Sequence, residues 1–423
     1  MIETRPQKTQ ERALLIGLEK EGVSKWDLQD SLDELRELAN SAGAEVVDTV
    51  TQKLEKPTAP YYIGRGKAES IKDSCQNRHV TSVIFNDELS PAQGRNLENL
   101  FARKVLDRTQ LILDIFAQRA RSREGRLQIE LAQLQYLLPR LTRMWHHLSR
   151  QTGGIGTRGP GETQLEVDRR RVQERIARLE RELEAVRKTR AIQRQGRKRH
   201  QWPVAAVVGY TNAGKSTLLN LLTGADVVAA DKLFATLDPT TRSFVLSNKQ
   251  RVLLTDTVGF LRKLPHTLIE SFKATLEEVS EADLLIHIVD LSHPRVDEQM
   301  EAVDTVVKEL DAFGKQTLIV FNKIDNLPNR ELVGSYLKRF PSSVAISART
   351  GEGVNKLVHA LENALSSWRL RSRFRIPASE SALIAEIHRV GHVLELRYEG
   401  NDALIVAHVP PDLSQKLERF SQN

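Results

Sequence analysis

The sequence predicts an α/β protein in four parts. These are an N-terminal α/β unit over 1–110, an antiparallel coiled-coil hairpin over 111–200, a larger α/β domain over 201–369 with a mostly parallel sheet flanked by helices, and a small α+β module over 370–423. Three observations carry this reading. Short apolar runs alternate with helix-period segments over 12–110 and again from Val204 to about Trp368, the pattern of parallel sheets with crossover helices. Between those stretches, two series of apolar residues keep heptad spacing on either side of a glycine-rich breaker. Beyond residue 370 the tail offers strands at Val393–Tyr398 and Ala403–Val409 and a helix at Leu413–Phe420.

In the first unit, Ala13–Ile16 reads as a short buried strand, and Ala44–Val50 and Val80–Phe85 as its neighbours. Ser31–Ala42 reads as a helix with Leu32, Leu35 and Leu38 on one face, followed by helices near Lys67–Asn77 and Pro91–Lys104. The turn Tyr62-Ile63-Gly64-Arg65-Gly66-Lys67 has the composition of a phosphate cradle. A tight strand-to-helix turn is the plainer reading and is preferred.

The hairpin follows from spacing. Leu127, Leu131, Leu134, Leu138, Leu141 and Trp145 form one seam; Leu165, Val172, Ile176, Leu179, Leu183 and Val186 form the other. The loop between them, 150–162, contains Gly153, Gly154 and Gly161 among five glycines, with one proline, and cannot continue a helix. Two seams joined by such a loop fold back on each other, with Arg150 and Arg158 at the tip. Pro139 is expected to kink or split the first helix.

At 423 residues, with 40% apolar and 28% charged residues, the chain has the composition of a globular protein. No apolar run approaches the length of a membrane span, the first residues lack a signal-peptide core, and the single cysteine, Cys75, excludes an internal disulfide; a cytoplasmic setting is the expectation. The net charge of +7 is unevenly placed. Residues 119–200 hold 21 Lys+Arg against 9 Asp+Glu, a local +12, so the remainder carries −5. Seven of the thirteen residues from Arg187 to Arg199 are basic. A basic segment on an otherwise acidic chain is the footprint of a surface that meets phosphate. Arg150, Gly153, Gly154, Arg158, Gly161, Arg197, Lys198 and Arg199 are the RNA-contact candidates. With few aromatics in the segment, contact with backbone rather than bases is expected. His146 and His147 have no partners at zinc-ligand spacing.

The densest chemistry begins at Gly209. The strand Val204–Val208 runs into Gly209-Tyr210-Thr211-Asn212-Ala213-Gly214-Lys215-Ser216, and Thr217 continues a helix. This is the phosphate loop G-x-x-x-x-G-K-S in its required context. Its glycines turn backbone N–H groups toward phosphate, the helix N-terminus adds partial positive charge, Lys215 faces the β- and γ-phosphates, and Ser216 offers a hydroxyl to Mg²⁺. Asn322-Lys323-Ile324-Asp325 ends a later strand, and a carboxylate at Asp325 can accept from both N1–H and the 2-amino group of guanine, donors adenine lacks. Asn322 is expected to tie this loop to the phosphate loop, and the stem of Lys323 to cover the base. Ser347-Ala348-Arg349 offers backbone to guanine O6. Between these, Asp256-Thr257-Val258-Gly259 places Asp256 to hold Mg²⁺ through water and the N–H of Gly259 to reach the γ-phosphate. Phe234-Ala235-Thr236-Leu237-Asp238 occupies the first switch. Thr236 is the first choice for completing the Mg²⁺ shell, with Thr240 and Thr241 as alternatives. Lys215, Thr236 and Gly259 are thus the residues expected at the reacting phosphate.

Together these segments resemble the five signatures of translation-factor-type P-loop GTPases. The wording GYTNAGKST, FATLDPTTR and DTVGF is similar to the Obg–HflX superfamily, and the loop GGIGTRGPGETQLE looks like that of HflX. The resemblance implies a P-loop GTPase that binds GTP and GDP with Mg²⁺ and docks on the large ribosomal subunit. It also implies that stalled or idle ribosomes are split and that the ribosome stimulates hydrolysis. It further implies that the 150–162 loop reaches toward ribosomal RNA and that Asn212 helps hold K⁺ at the phosphates. Phe260 stands where Ras-type switches carry a water-orienting glutamine, so slow intrinsic turnover is expected. No DNA partner, no membrane segment and a monomer complete the expectations.

Overall fold

The structure, a computed structural model, describes residues 11–22, 24–141, 160–199, 202–224, 233–234, 237–262, 276–366 and 370–422; at 160–165, 187, 190–199, 370 and 411–412 it describes backbone alone. The chain divides into two compact units, one of residues 1–186 with 264–271, the other of 187–263 with 272–423.

The first unit opens with β1 (Arg12–Glu19), α1 (Lys25–Ser41), β2 (Glu45–Lys53), α2 (Arg65–Asn77), β3 (Ser82–Phe85), α3 (Pro91–Phe101), β4 (Lys104–Asp107) and α4 (Arg108–Arg119). Its four strands form a parallel sheet in the order β2-β1-β3-β4. Ile71 and Cys75 of α2 and Leu97 and Phe101 of α3 share one core with Leu14, Ile16, Val83 and Phe85. At Gly17 a side chain would collide with Leu28 and Leu32 of α1, so the glycine lets that helix approach the sheet.

One expectation is corrected in this unit and another is met. The helix expected over Pro91–Lys104 ends at Phe101, because Ala102 turns left-handed (φ 50°) and the chain returns as β4. Lys104 and Asp107 at its ends leave β4 without the continuous apolar run that marked β3. The Tyr62–Lys67 segment is a strand-to-helix turn. The N–H of Gly64 donates to Gln52 Oε1 at 2.9 Å, and α2 starts at the next residue.

The hairpin helices are α5 (Arg123–Leu141) and α6 (Pro160–Arg199). Leu127, Leu131, Leu179 and Leu183 form one buried cluster, with Leu134, Ile176 and Val186 against it. Arg123 pairs with Glu182 at 3.8 Å, and Arg175 forks onto Glu130 at 2.7 and 2.8 Å. Seven steps forward on α5 are seven steps back on α6, which fixes the antiparallel sense. Pro139 does not split α5; the chain breaks instead at Ala120–Ser122, between α4 and α5. Arg150, Gly153, Gly154 and Arg158 lie outside the described residues, as do Trp145, His146 and His147. Gly161 falls in the first turn of α6, and Arg197, Lys198 and Arg199 in its last.

The second unit holds β5 (Val204–Gly209), α7 (Lys215–Thr223), β6 (Thr240–Val245), β7 (Arg251–Asp256), β8 (Leu284–Asp290), α8 (Val296–Glu309), β9 (Thr317–Asn322), α9 (Glu331–Arg339), β10 (Ser343–Ala345) and α10 (Val354–Ala364). The six strands run β10-β9-β8-β5-β7-β6, all parallel except the edge strand β6. Alternation along each strand sends residues to opposite faces. Leu284, Ile286 and Ile288 pack with Leu218 of α7 and Leu357 and Leu361 of α10. Val289 and Phe321 pack with Met300 of α8 and Tyr336 of α9.

The C-terminal module is an antiparallel sheet of β11 (Leu370–Pro377), β12 (His392–Glu399), β13 (Asp402–Val409) and β14 (Ser421–Gln422), with α11 (Ser381–Val390) and α12 (Pro411–Lys416). Phe374, Ile376, Ile405 and Ile387 form its core. β11 and α11 have no counterpart in the sequence reading.

Candidate nucleotide site

The C-terminal edge of the second unit's sheet gathers the motif residues. β5 delivers Gly209, whose φ of 153° and approach to Ile288 O leave no room for a side chain: a Cβ would stand 2.3 Å from that oxygen. Gly214 is equally constrained. Its φ is 95°, and a Cβ would stand 2.2 Å from Asn322 Nδ2. The motif's glycines are therefore demanded by tertiary neighbours as well as by the turn. Asn212, exposed, has φ 59° in the same loop, a conformation asparagine tolerates better than most residues.

Asn322 joins three loops. Its Nδ2 donates to Ala213 O at 2.8 Å, its Oδ1 accepts from Ala348 N at 2.9 Å, and its side chain is buried. The phosphate loop, the Asn-Lys-x-Asp loop and the Ser-Ala-Arg loop are thus held by one amide. The Ala348 N–H, one of the backbone groups expected to face guanine O6, is engaged in that bond. Ser347 is buried and its Oγ accepts from Thr350 N, while Arg349 is exposed. Lys323 (φ 62°) pairs through Nζ with Asp290 Oδ2 at 2.8 Å. Ile324 is buried beneath the loop, and Asp325 Oδ1 is buried without a hydrogen-bond partner.

At the phosphate end, Lys215 Nζ donates to Tyr210 O at 2.6 Å. Burial pushes its ammonium down to about 8; Asp256 opposes that shift and Lys323 adds to it. Ser216 Oγ donates to Asp256 Oδ2 at 2.7 Å. A hydroxyl and a carboxylate so close are the donor set Mg²⁺ takes beside phosphate and water, so these residues fit that ion. Among the described residues no group of three or more His, Cys, Asp or Glu could hold a metal by itself. Thr211 Oγ1 is buried without a partner. Thr217 lies in the first turn of α7.

The segment after β7 lies directly on this loop. Thr257 donates to Val207 O at 2.7 Å, and Val258 is buried. A Cβ on Gly259 would stand 2.8 Å from both Lys215 Nζ and Thr211 Cα. Phe260 is buried, its N–H donating to Gly209 O at 3.1 Å and its carbonyl accepting from Thr211 N at 2.8 Å.

The first switch is placed only in part. Phe234 (φ 56°) and Leu237 are buried, and Asp238 is half-buried; Ala235 and Thr236 lie outside the described residues. The alternatives Thr240 and Thr241 belong to β6, opposite Asp256 and Thr255. Thr241 Oγ1 meets Thr255 Oγ1 at 3.0 Å and is spent on sheet pairing. Sequence reasoning missed β6, Asp290 as the partner of Lys323, and His287. Burial pushes His287 down to about 4, with Lys215 adding to the shift. As the one histidine in the apolar run of β8, it was the available signal.

Phosphate-loop chemistry at the carboxyl ends of a six-stranded sheet, with the Asn-Lys-x-Asp loop two strands away, defines the class: a P-loop GTPase. Family models match along the chain in the same order: GTP-binding GTPase N-terminal over 29–117, GTP-binding GTPase Middle Region over 119–197 and 50S ribosome-binding GTPase over 204–323. The chain is 47% identical to the GTPase HflX of Caldanaerobacter subterraneus subsp. tengcongensis, over 98% of this chain and 94% of that one. It is 48% identical to the GTPase HflX of Escherichia coli (strain K12), over 86% and 85% respectively. This protein belongs to the HflX family of GTPases. Among solved structures, a GTP-binding protein from Sulfolobus solfataricus in complex with GDP is 26% identical, with a TM-score of 0.46, over 84% of this chain and 99% of that one. Among the described residues no helix is long and apolar enough to cross a membrane.

Proposed function

We propose that this GTPase binds GTP between the phosphate loop and Asp325, and docks on the large ribosomal subunit. It would hydrolyse GTP slowly alone and faster on the subunit, and would promote separation of stalled or idle ribosomes. The observation that carries the nucleotide half is Asn322. A single buried amide holds the phosphate and base loops together and leaves Asp325 Oδ1 unpartnered beside them. The 2-amino and N1–H groups of guanine supply the missing donors, and adenine would leave the carboxylate desolvated and unpaired.

In this reading Lys215 leaves Tyr210 O for the β- and γ-phosphates, and the N–H of Gly259 meets the γ-phosphate. Ser216 and Asp256 would hold Mg²⁺, Asp256 through water, with Thr236 as the further candidate ligand. Bound there, Mg²⁺ would neutralise charge building between the β- and γ-phosphates. K⁺ beside Asn212 is a further candidate, tested by comparing turnover in K⁺ and Na⁺. Phe260, buried and apolar, cannot orient water, so the intrinsic rate stays low until a partner orders the site.

The ribosomal half is supported by the +12 balance of 119–200 and by the description of the model matching 204–323. Arg170, Arg171 and Arg178 stand largely exposed on α6. Arg150, Gly153, Gly154, Arg158, Gly161, Arg197, Lys198 and Arg199 are the other RNA-contact candidates, and binding should weaken steeply with salt. The test is GTP turnover at fixed protein with increasing purified large subunits and ATP as competitor. Stimulation specific to GTP supports both halves. Equal rates with and without subunits would remove the ribosome, and turnover of ATP as fast as GTP would remove Asp325 as base selector.

A further inference from the structure

We propose that Tyr210 is a positioning residue: its hydroxyl pins the segment after Asp256–Gly259 to the phosphate loop and thereby sets the preference for GTP over GDP. Tyr210 is the second residue of the loop and is buried, a place where a phenol oxygen must find a partner. That partner is the backbone N–H of Arg262, which donates to Tyr210 Oη at 2.9 Å. The carbonyl of the same residue accepts from Lys215 Nζ at 2.6 Å. One residue therefore holds the lysine expected to meet phosphate and the segment that follows the expected γ-phosphate contact.

Three further bonds close the clamp. Phe260 exchanges two backbone hydrogen bonds with Gly209 and Thr211, at 3.1 and 2.8 Å. The guanidinium of Arg262 pairs with Glu298 Oε2 of α8 at 2.7 Å. Gly259 lies between these anchors and close against Lys215 and Thr211, so a shift of the anchors shifts its N–H. Its expected ligand, the γ-phosphate, is present in GTP and absent from GDP. Loosening the anchor should weaken the triphosphate and spare the diphosphate.

This inference rests on the assignment of GTP to this loop, so the experiment separates the two. GDP and a non-hydrolysable GTP analogue are titrated calorimetrically, with Mg²⁺, against wild type, Tyr210→Phe and Glu298→Gln. The phenylalanine keeps the buried ring and removes one acceptor. Loss of a neutral hydrogen bond corresponds to about a fivefold drop in affinity for the GTP analogue, with GDP unchanged. Glu298→Gln, remote from the phosphates, should give a smaller loss of the same selectivity, and it carries the test should Tyr210→Phe not fold. Equal loss for both nucleotides, or no loss for either, overturns the positioning role. Failure of wild type to bind GDP at all would instead overturn the assignment of the site.

Discussion

The two parallel sheets of this protein end differently. In the first unit, Asp107 closes β4 and is almost wholly buried. It accepts from Leu89 N at 3.1 Å, Gln110 N at 2.9 Å, Tyr136 Oη at 2.6 Å and Arg140 Nη2 at 3.3 Å. The guanidinium of Arg140 also lies 3.4 Å from the centre of the Tyr136 ring. That strand end is saturated by the protein, and its carboxylate fastens α5 to the sheet. In the second unit, Asp325 follows β9 at the same kind of place, yet one of its oxygens is buried without a partner, as is Thr211 Oγ1. Open α/β sheets bind ligands beyond the carboxyl ends of their strands. What separates a structural end from a binding end is whether the buried polar groups there are already answered.

The largest effects should break this comparison cleanly. Asp107→Ala is expected to destabilise the first unit by about 3–5 kcal/mol, since it takes the acceptor from the donors at Leu89, Gln110 and Tyr136 and the carboxylate from Arg140, and to leave GTP affinity unchanged. Asp325→Ala should do the reverse, lowering GTP affinity about a hundredfold or more with little change in melting. Thermal unfolding and nucleotide titration on both variants decide it; matching profiles would erase the distinction. Asn322→Ala falls between, because it leaves Ala213 O and Ala348 N buried without partners. About 2–4 kcal/mol of stability should go with it, together with GTP binding.

Leu179→Ala, at the centre of the hairpin cluster, should cost about 2–3 kcal/mol in chemical denaturation and leave unstimulated GTP turnover intact. A matching fall in basal turnover would show that the hairpin seam supports the nucleotide site. The smallest effect concerns pH. Lys215 is held down to about 8, below the ordinary lysine value of 10.5, by burial. The unfolded chain therefore binds the proton more readily between those values, and stability without nucleotide rises with pH across that window. Phosphate favours the protonated form. GTP binding should take up a proton above pH 8, and its affinity should fall by up to about tenfold between pH 7 and 9. Calorimetry in two buffers of different ionisation enthalpy reads that proton directly.

Local spacing made much of this legible. The heptads at Leu127–Leu141 and Ile176–Val186 state an antiparallel pair because a helix face repeats within a few residues. Gly209–Ser216, Asp256–Gly259 and Asn322–Asp325 state a nucleotide site because each motif needs its residue types side by side. β4 (Lys-Val-Leu-Asp) and β6 (Thr-Thr-Arg-Ser-Phe-Val) escaped because polar residues interrupt the apolar run that marked β3 and β5. Thr240 and Thr241 read as switch-loop hydroxyls for that reason; both lie on β6, and the Thr241 hydroxyl meets that of Thr255.

Sequence alone determined the order of the motifs: a basic segment with heptad seams, then a phosphate loop, then an Asn-Lys-x-Asp loop. Tertiary structure alone decided the bonds that span the chain. Tyr210 reaches Arg262 across 52 residues and Tyr136 reaches Asp107 across 29, whereas the tie of Asn322 to the phosphate loop was expected from its motif. No periodicity encodes such a pair. Each exists because folding buries both groups together, and a buried donor or acceptor must then find its partner.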